Sequence, residues 1–305
     1  MRVYALDFRK LKYFYYLILI SLLLIFTRSC LGENISFTSG PNLNGWTLLS
    51  QFSTPILSTD PGREHNLKMG VATINNQVLE PDSFFSFNQR SGPYTEELGW
   101  RKAKNSMVVG NELIDSIGGG VCQITATLYN AALLADLDIV ERHPHNLAPK
   151  YVEPGQDAAV WYEGDLDLVF KSNKEFPIIV KAWVENKQVK VELWGKGNEA
   201  KKWKNNYKIE LNLQKDGKIP YKQVEIKDEN LPEGKKHVEI KGTNGYSKVT
   251  LRRIVIKGGE VEKDQLISVD KYAPLQERIK IGTNKSLEAM GRLWLLGKPI
   301  LFREN

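Results

Sequence analysis

The chain has 305 residues, 42% of them hydrophobic and 26% charged, which is enough for two ordinary domains with real cores and excludes collagen-like and low-complexity classes. Its net charge of +6 is a mild basic excess without an Arg-rich cluster interleaved with aromatics, so nucleic acid is not an expected partner. Most lysines lie beyond residue 170, on what read as strand faces; such charge solvates a surface and, outside the cell, also favours anionic wall polymers or lipid headgroups.

At the N-terminus Arg2, Arg9, Lys10 and Lys12 precede an apolar run from Tyr13 to Phe26. That is the pattern of a signal peptide or membrane anchor over residues 1–30, with the basic flank in the cytoplasm and the rest of the chain outside. No small-x-small cleavage site follows, and Arg28 two residues before Cys30 makes a poor lipid-attachment motif. An uncleaved anchor in the cytoplasmic membrane is therefore expected, ahead of lipidation or cleavage. The cysteines are Cys30 and Cys122. Cys30 abuts the membrane segment, which leaves Cys122 as an unpaired thiol in an exported protein.

Residues 31–45 are polar and rich in Gly and Asn, and read as a linker. From 46 to 197 the pattern is a single α+β unit. Pro81-Asp82 sets a turn before a strand over Phe84–Phe87, and residues 106–117 read as a hairpin about Gly110-Asn111. Gly118, Gly119 and Gly120 turn the chain into a helix from Cys122 to Ala135. Residues 139–146 are strand-like, Pro149–Gly155 is a turn, and 158–164, 166–173, 177–186 and 188–196 read as four strands. Together they predict an antiparallel sheet flanking one central buried helix. Residues 198–219 read as a connector containing a strand over Tyr207–Leu213. Residues 220–283 repeat short strands with Gly turns, a small all-β domain, and the tail 284–305 carries an apolar patch of no assigned position.

The stretch from Ser116 to His145 joins Cys122 to two of the chain's four histidines. A helix N-terminus stabilises a thiolate, because unpaired N–H groups point at it. Gln123 or the Cys122 amide is placed to donate to an oxyanion. Ile124, Leu128, Ala131, Ala132 and Leu134 give the helix an apolar face that should bury it. His143 and His145, two apart and separated by Pro144, are the candidate bases, with Asp157 or Asp167 to orient the ring. Two other readings compete: an inert buried cysteine beside a glycine turn, and a metal site with Cys122, His143, His145 and Asp157 as ligands. The second has no recognised zinc spacing, and no metal or cofactor is assigned.

The motifs FFSFNQRSGPYTEELGW, GGGVCQITATLYNAALLADLDIVERHPHN, YVEPGQDAAVWY and LDLVFKSNKEFPIIVKAW resemble the VanW-like domain of Gram-positive bacteria, from about Phe52 to Gly195. The family takes its name from a glycopeptide-resistance cluster. The resemblance implies a cell-envelope, vancomycin-resistance-like setting and supplies no reaction. Its motif positions fall on Gly118, Gly119, Gly120, Cys122, Gln123, His143 and His145, while Phe87-Asn88 and Gly92-Pro93 would wall the same cleft. Asn146 stands where members often carry Ser. Residues 231–283 are similar to the five-glycine (G-five) domain, with Gly234, Gly242, Gly245, Gly259 and Gly282 on its pattern, read as turns between strands. That resemblance implies binding of peptidoglycan or another wall glycan containing N-acetylglucosamine.

The expected protein is thus a membrane-anchored, extracytoplasmic thiol enzyme acting on peptidoglycan or its peptide stems by acyl transfer or amide hydrolysis. Cys122 attacks, His145 or His143 is general base and acid, Asp157 orients it, and Gln123 helps hold the oxyanion. The alternatives are a non-catalytic peptidoglycan-binding module and a Cys/His/His metal-dependent hydrolase.

Overall fold

A computed structural model describes residues 43–109 and 112–285. The expectations for the N-terminal anchor, for Cys30 and nearly all of the linker, for the turn at 110–111 and for the tail beyond 285 lie outside the described residues.

The N-terminal part is built on a four-stranded antiparallel sheet. Its order is β1 (Trp46–Pro55), β9 (Gln188–Lys196), β8 (Ile178–Glu185) and β2 (Val78–Leu79). A smaller sheet sets β3 (Phe84–Ser86) beside β7 (Val169–Lys171) and β6 (Asp138–Glu141), and β4 (Lys102–Val109) pairs with β5 (Glu112–Ile117). Helix α1 (Pro61–Ile74) was not legible from hydropathy, because its buried positions Asn66, Leu67, Gly70, Val71 and Ile74 mix polar and small residues with apolar ones. It starts where it does because Asp60 caps it, accepting from the Arg63 amide at 2.8 Å, with Pro61 at the first helical position. The short α2 (Phe87–Ser91) is capped in the same way by Ser86.

Helix α3 (Val121–Leu134) is the central helix. Every residue except Cys122 and Leu134 is buried, so it is enclosed on all sides rather than on one face. Its polar residues are matched accordingly: Thr127 Oγ1 lies 2.8 Å from Thr54 Oγ1, and Ser50 donates to the Ala131 carbonyl at 2.7 Å. Ala126, Ala131 and Ala132, all fully buried, let the sheet approach closely.

Two local expectations are corrected. Residues 158–164 form no strand: Ala159 bridges to His143, and Tyr162–Gly164 is a 3₁₀ turn. The stretch 198–219 is no bare connector. Residues Gly197–Asn206 form helix α4, whose Ala200 is buried, and the strand that follows, β10 (Tyr207–Ile219), runs beyond Leu213.

The C-terminal part is all-β, so the molecule is α+β as expected. Strand β10 pairs with β13 (Gly245–Lys257), which pairs with β14 (Glu260–Tyr272). A second sheet sets β15 (Glu277–Asn284) between β11 (Gln223–Pro232), parallel to it, and β12 (Lys236–Ile240), antiparallel to it. The main hydrophobic cluster runs from Leu49 to Ala200, with Leu251 reaching in from β13.

The five motif glycines of this part do not all make turns. Gly234 and Gly259 hold positive φ in open space, but a Cβ on Gly282 would sit 1.9 Å from the Pro232 carbonyl oxygen, and one on Gly245 would sit 2.3 Å from that of Tyr272. Those two are required where backbones press together.

Candidate functional site

Gly120 adopts a left-handed conformation (φ 115°) that only glycine takes easily, and it ends the loop so that α3 begins at Val121. Gly118 also has positive φ, and the Gly119 carbonyl accepts from Asn66 Nδ2 at 3.1 Å. Cys122 is thereby the second residue of the helix, among N–H groups that have no intrahelical acceptor. The residue as a whole is half-buried.

Three side chains of α3 strap the segment 156–160 alongside the helix. Asn130 Nδ2 donates to the Gln156 carbonyl at 2.7 Å, Thr125 Oγ1 to that of Ala158 at 2.6 Å, and Cys122 Sγ to that of Val160 at 3.6 Å. Eight residues of helix rise about 12 Å and four of extended chain about 13 Å, so the two rows stay in step. With alternate carbonyls turned to the helix, Asp157 is held between two of the straps.

The buried Asp157 carboxylate collects four donors. One oxygen takes the His145 amide and His145 Nδ1, both at 2.7 Å; the other takes Arg142 Nη2 at 3.0 Å and the Tyr272 hydroxyl. Burial pushes this carboxyl up, but the His145 hydrogen bonds and charge and the Arg142 charge outweigh it, and it sits at about 2. With Nδ1 committed to Asp157, His145 lies close enough to Cys122 for the two to act on each other electrostatically. Burial pushes His145 down, yet its bonds to Asp157 and Cys122 raise it to about 10. Burial likewise pushes the Cys122 thiol up; the hydrogen bond and charge of His145, with the charge of Arg63, bring it below its ordinary value. As a thiol the sulfur donates to the Val160 carbonyl; as a thiolate it would be stabilised by the neighbouring imidazolium of His145. The arrangement can therefore hold a thiolate–imidazolium pair oriented by a carboxylate, the working parts of nucleophilic thiol chemistry.

Not every expected residue joins it. His143 Nε2 bonds Glu141 at 2.9 Å, because the strand ends at Glu141 and the two histidines no longer alternate along one regular face. Asp167 accepts from Ser86 Oγ and from the amides of Asn88 and Leu168, and so braces α2 rather than a histidine. Among the described residues no group of three or more His, Cys, Asp and Glu side chains converges as a metal site would require. Gln123 is buried with its amide committed to Thr54 Oγ1 (3.1 Å) and the Pro55 carbonyl (3.0 Å), so it has no donor for an oxyanion. That leaves the Cys122 N–H for the task.

Several residues around the thiol escaped the sequence reading. Gln123 Oε1 accepts from Arg63 Nη2 at 3.1 Å, holding that guanidinium near the sulfur. The Asp60-Pro61 helix start was the signal that could have located Arg63. Tyr151 and Tyr94 lie within electrostatic reach of Cys122, and burial raises both phenols. Tyr94 donates to Asn88 Oδ1 at 2.7 Å and meets Tyr162 edge to face; Gly92 lies under the Tyr162 ring. The motif pairs Phe87-Asn88 and Gly92-Pro93 thus support an aromatic wall. Asn146 gives its backbone carbonyl to the Ala273 amide at 2.8 Å. Three cavities, of about 500, 650 and 520 Å³, are lined by residues other than Cys122 and His145.

Residues 62–194 match the family described as VanW like protein, and residues 213–284 match the G5 domain. Uncharacterized protein YoaR of Bacillus subtilis (strain 168) is 38% identical over 134 residues, 44% of this chain and 43% of that one. Vancomycin B-type resistance protein VanW of Enterococcus faecalis (strain ATCC 700802 / V583) is 27% identical over 121 residues, 36% and 41% of the two chains. The matched segment spans less than half the length of either relative. Among solved structures, an IgA1 protease G5 domain is 26% identical, covering 26% of this chain and 89% of that one, with a TM-score of 0.18. The chain carries a VanW-like domain at residues 62–194 followed by a G5 domain at 213–284, a pairing consistent with a cell-envelope protein.

Proposed function

We propose that the VanW-like domain is a thiol-dependent enzyme of the cell envelope that acts on peptidoglycan peptide stems by acyl transfer or amide hydrolysis. The observation that carries this reading is the buried Asp157 carboxylate that fixes His145 through Nδ1 beside Cys122 at the start of α3. A buried carboxylate with four donors is a costly way to hold a histidine that has no task. Cys122 attacks the acyl carbon, His145 gives its proton to the leaving amine, and the Cys122 N–H faces the developing oxyanion. Water or a second amine then takes the acyl group from sulfur, with His145 as base. The N-terminal segment anchors the chain on the outer face of the cytoplasmic membrane, and the G5 domain holds wall glycan containing N-acetylglucosamine near the site.

The test is the pH dependence of Cys122 alkylation by iodoacetamide, read at the Cys122 peptide by mass spectrometry. The reading expects a midpoint well below the ~8.5 of a free thiol. The midpoint should return toward that value in His145→Ala and stay low in His143→Ala. A thiol indifferent to both substitutions would leave a packed core cysteine and a wall-binding protein without enzymatic activity.

A further inference from the structure

Arg142 is shared by two buried carboxylates that come from the two parts of the molecule. Its Nη2 donates to Asp157 Oδ1 at 3.0 Å and its Nη1 to Asp270 Oδ2 at 2.6 Å, while Nε donates to the Asp157 carbonyl at 2.7 Å. None of the three side chains is more than 6% exposed. Asp270 belongs to β14, where it stands opposite Val249 of β13. The two parts meet here because Gly155 lets its backbone lie against the C-terminal sheet: a Cβ on it would sit 2.9 Å from the Leu213 side chain and 3.0 Å from that of Val249. Tyr272, also from β14, donates to Asp157 Oδ1, and Ser268 donates to Asp270 Oδ2 at 3.0 Å.

One guanidinium between two carboxylates leaves a negative charge in excess, and burial makes an unanswered charge costly. Among the described residues, the group bonded to this trio that can take up a positive charge is His145, whose Nδ1 lies 2.7 Å from Asp157 Oδ2. We infer that Asp270 is a positioning residue of the thiol site: by holding one end of the Arg142 guanidinium it leaves Asp157 free to keep His145 as imidazolium beside Cys122. Without the Asp270 charge, Arg142 and Asp157 already balance, and an imidazolium next to them would stand uncompensated. Asp157 and Cys122 act on His145 directly, and Arg142 and Tyr272 face Asp157. The Tyr129 ring lies under the guanidinium, while Arg63, Tyr94 and Tyr151 act on Cys122. Of these groups, Arg142 is the one bonded to Asp270, so the influence runs through its planar fork. The inference rests on the thiol reading proposed above and adds that the charge state of that site is set from the C-terminal domain.

The experiment follows the ring signals of the four histidines by NMR across a pH titration of the full chain, isotope-labelled at histidine, with His145 identified by its loss in His145→Ala. In Asp270→Asn, whose amide oxygen can still accept from Arg142, the His145 midpoint should fall by about one unit, tenfold in proton affinity, while His65 and His237 hold theirs. A structural role alone would lower stability to urea and leave the midpoint in place; an unmoved midpoint overturns the inference. Ser268→Ala tests the same route with every charge kept, and it decides the matter even if Asp270→Asn does not fold. Without that hydroxyl Asp270 Oδ2 draws Arg142 harder, Asp157 is left more fully to His145, and the midpoint should rise. A direct field of Asp270 on His145 would not respond to this change, so a midpoint that fails to rise also overturns the inference. Failure of the thiol reading looks different: Cys122 of the unsubstituted chain then alkylates with the midpoint of a free thiol, whatever the His145 titration shows.

Discussion

In the VanW-like domain, α3 is enclosed by sheet and loops, and Leu128, Tyr129 and Leu133 are fully buried within it. In the G5 domain, β11 and β12 leave nearly every side chain exposed, and Val224, Ile226 and Val238 remain 38–49% accessible. The first region is held by side-chain packing. The second is held by backbone pairing and by glycines that let chains touch. One face of β13, with Val249, Leu251, Arg253 and Val255, is buried. Beside it Asp270 and Tyr272 reach Arg142 and Asp157. A site that needs a fixed histidine is thus built in the packed region, and the thin region contributes to it through the one edge it buries.

The comparison can be broken hardest at Asp157. Asp157→Asn removes a buried charge facing Arg142 and His145 and should cost about 3–5 kcal/mol, read by urea unfolding. Its pH signature has a definite sign. The carboxyl is lowered to about 2, so its contribution is present above the ordinary range near ~3.9 and is lost as pH falls through about 2. The stability gap between wild type and variant should close on acidification; a gap independent of pH would refute the charge argument.

Next is the packed core. Leu128→Ala should cost about 2–5 kcal/mol and weaken the whole VanW-like domain. Gly282→Ala probes the other mode of stabilisation. With Pro232 O in the way, β11 and β15 must separate, at a cost of about 1–3 kcal/mol for the displaced backbone. Amide exchange should then quicken across 223–240 while the α3 amides keep their protection; uniform loss would mean the two regions unfold together.

Tyr272→Phe sharpens the comparison where the regions meet. The hydroxyl accepts from the Gly155 amide at 2.7 Å and donates to Asp157, so its loss should cost about 1–3 kcal/mol. A purely structural role stops there. A positioning role also moves the Cys122 alkylation midpoint toward that of a free thiol, and an unmoved midpoint would leave the G5 domain outside the site. The smallest effect is expected at Ile226→Ala, within about 0.5 kcal/mol, because that side chain stays exposed after folding.

The amino-acid sequence by itself determined the central helix with its apolar run, the glycine loop before it, the paired strands from Ile178 to Lys196 and the all-β C-terminal part. Each of these rests on local periodicity or on residues that fix backbone geometry within a few positions. It also brought Cys122, the histidine pair and Asp157 into one hypothesis, because motif residues cluster along the chain. Tertiary structure alone decided which histidine faces the sulfur, since strand alternation stops at Glu141 and Asp157 captures His145. The same holds for Gln123, whose donors are consumed by Thr54 and Pro55 from a strand nearly seventy residues earlier. Arg63 and Tyr272 came into the site from opposite ends of the chain, and no local pattern records such a meeting. Long-range contacts are chosen by the packing of whole elements, and that information is spread over all of them.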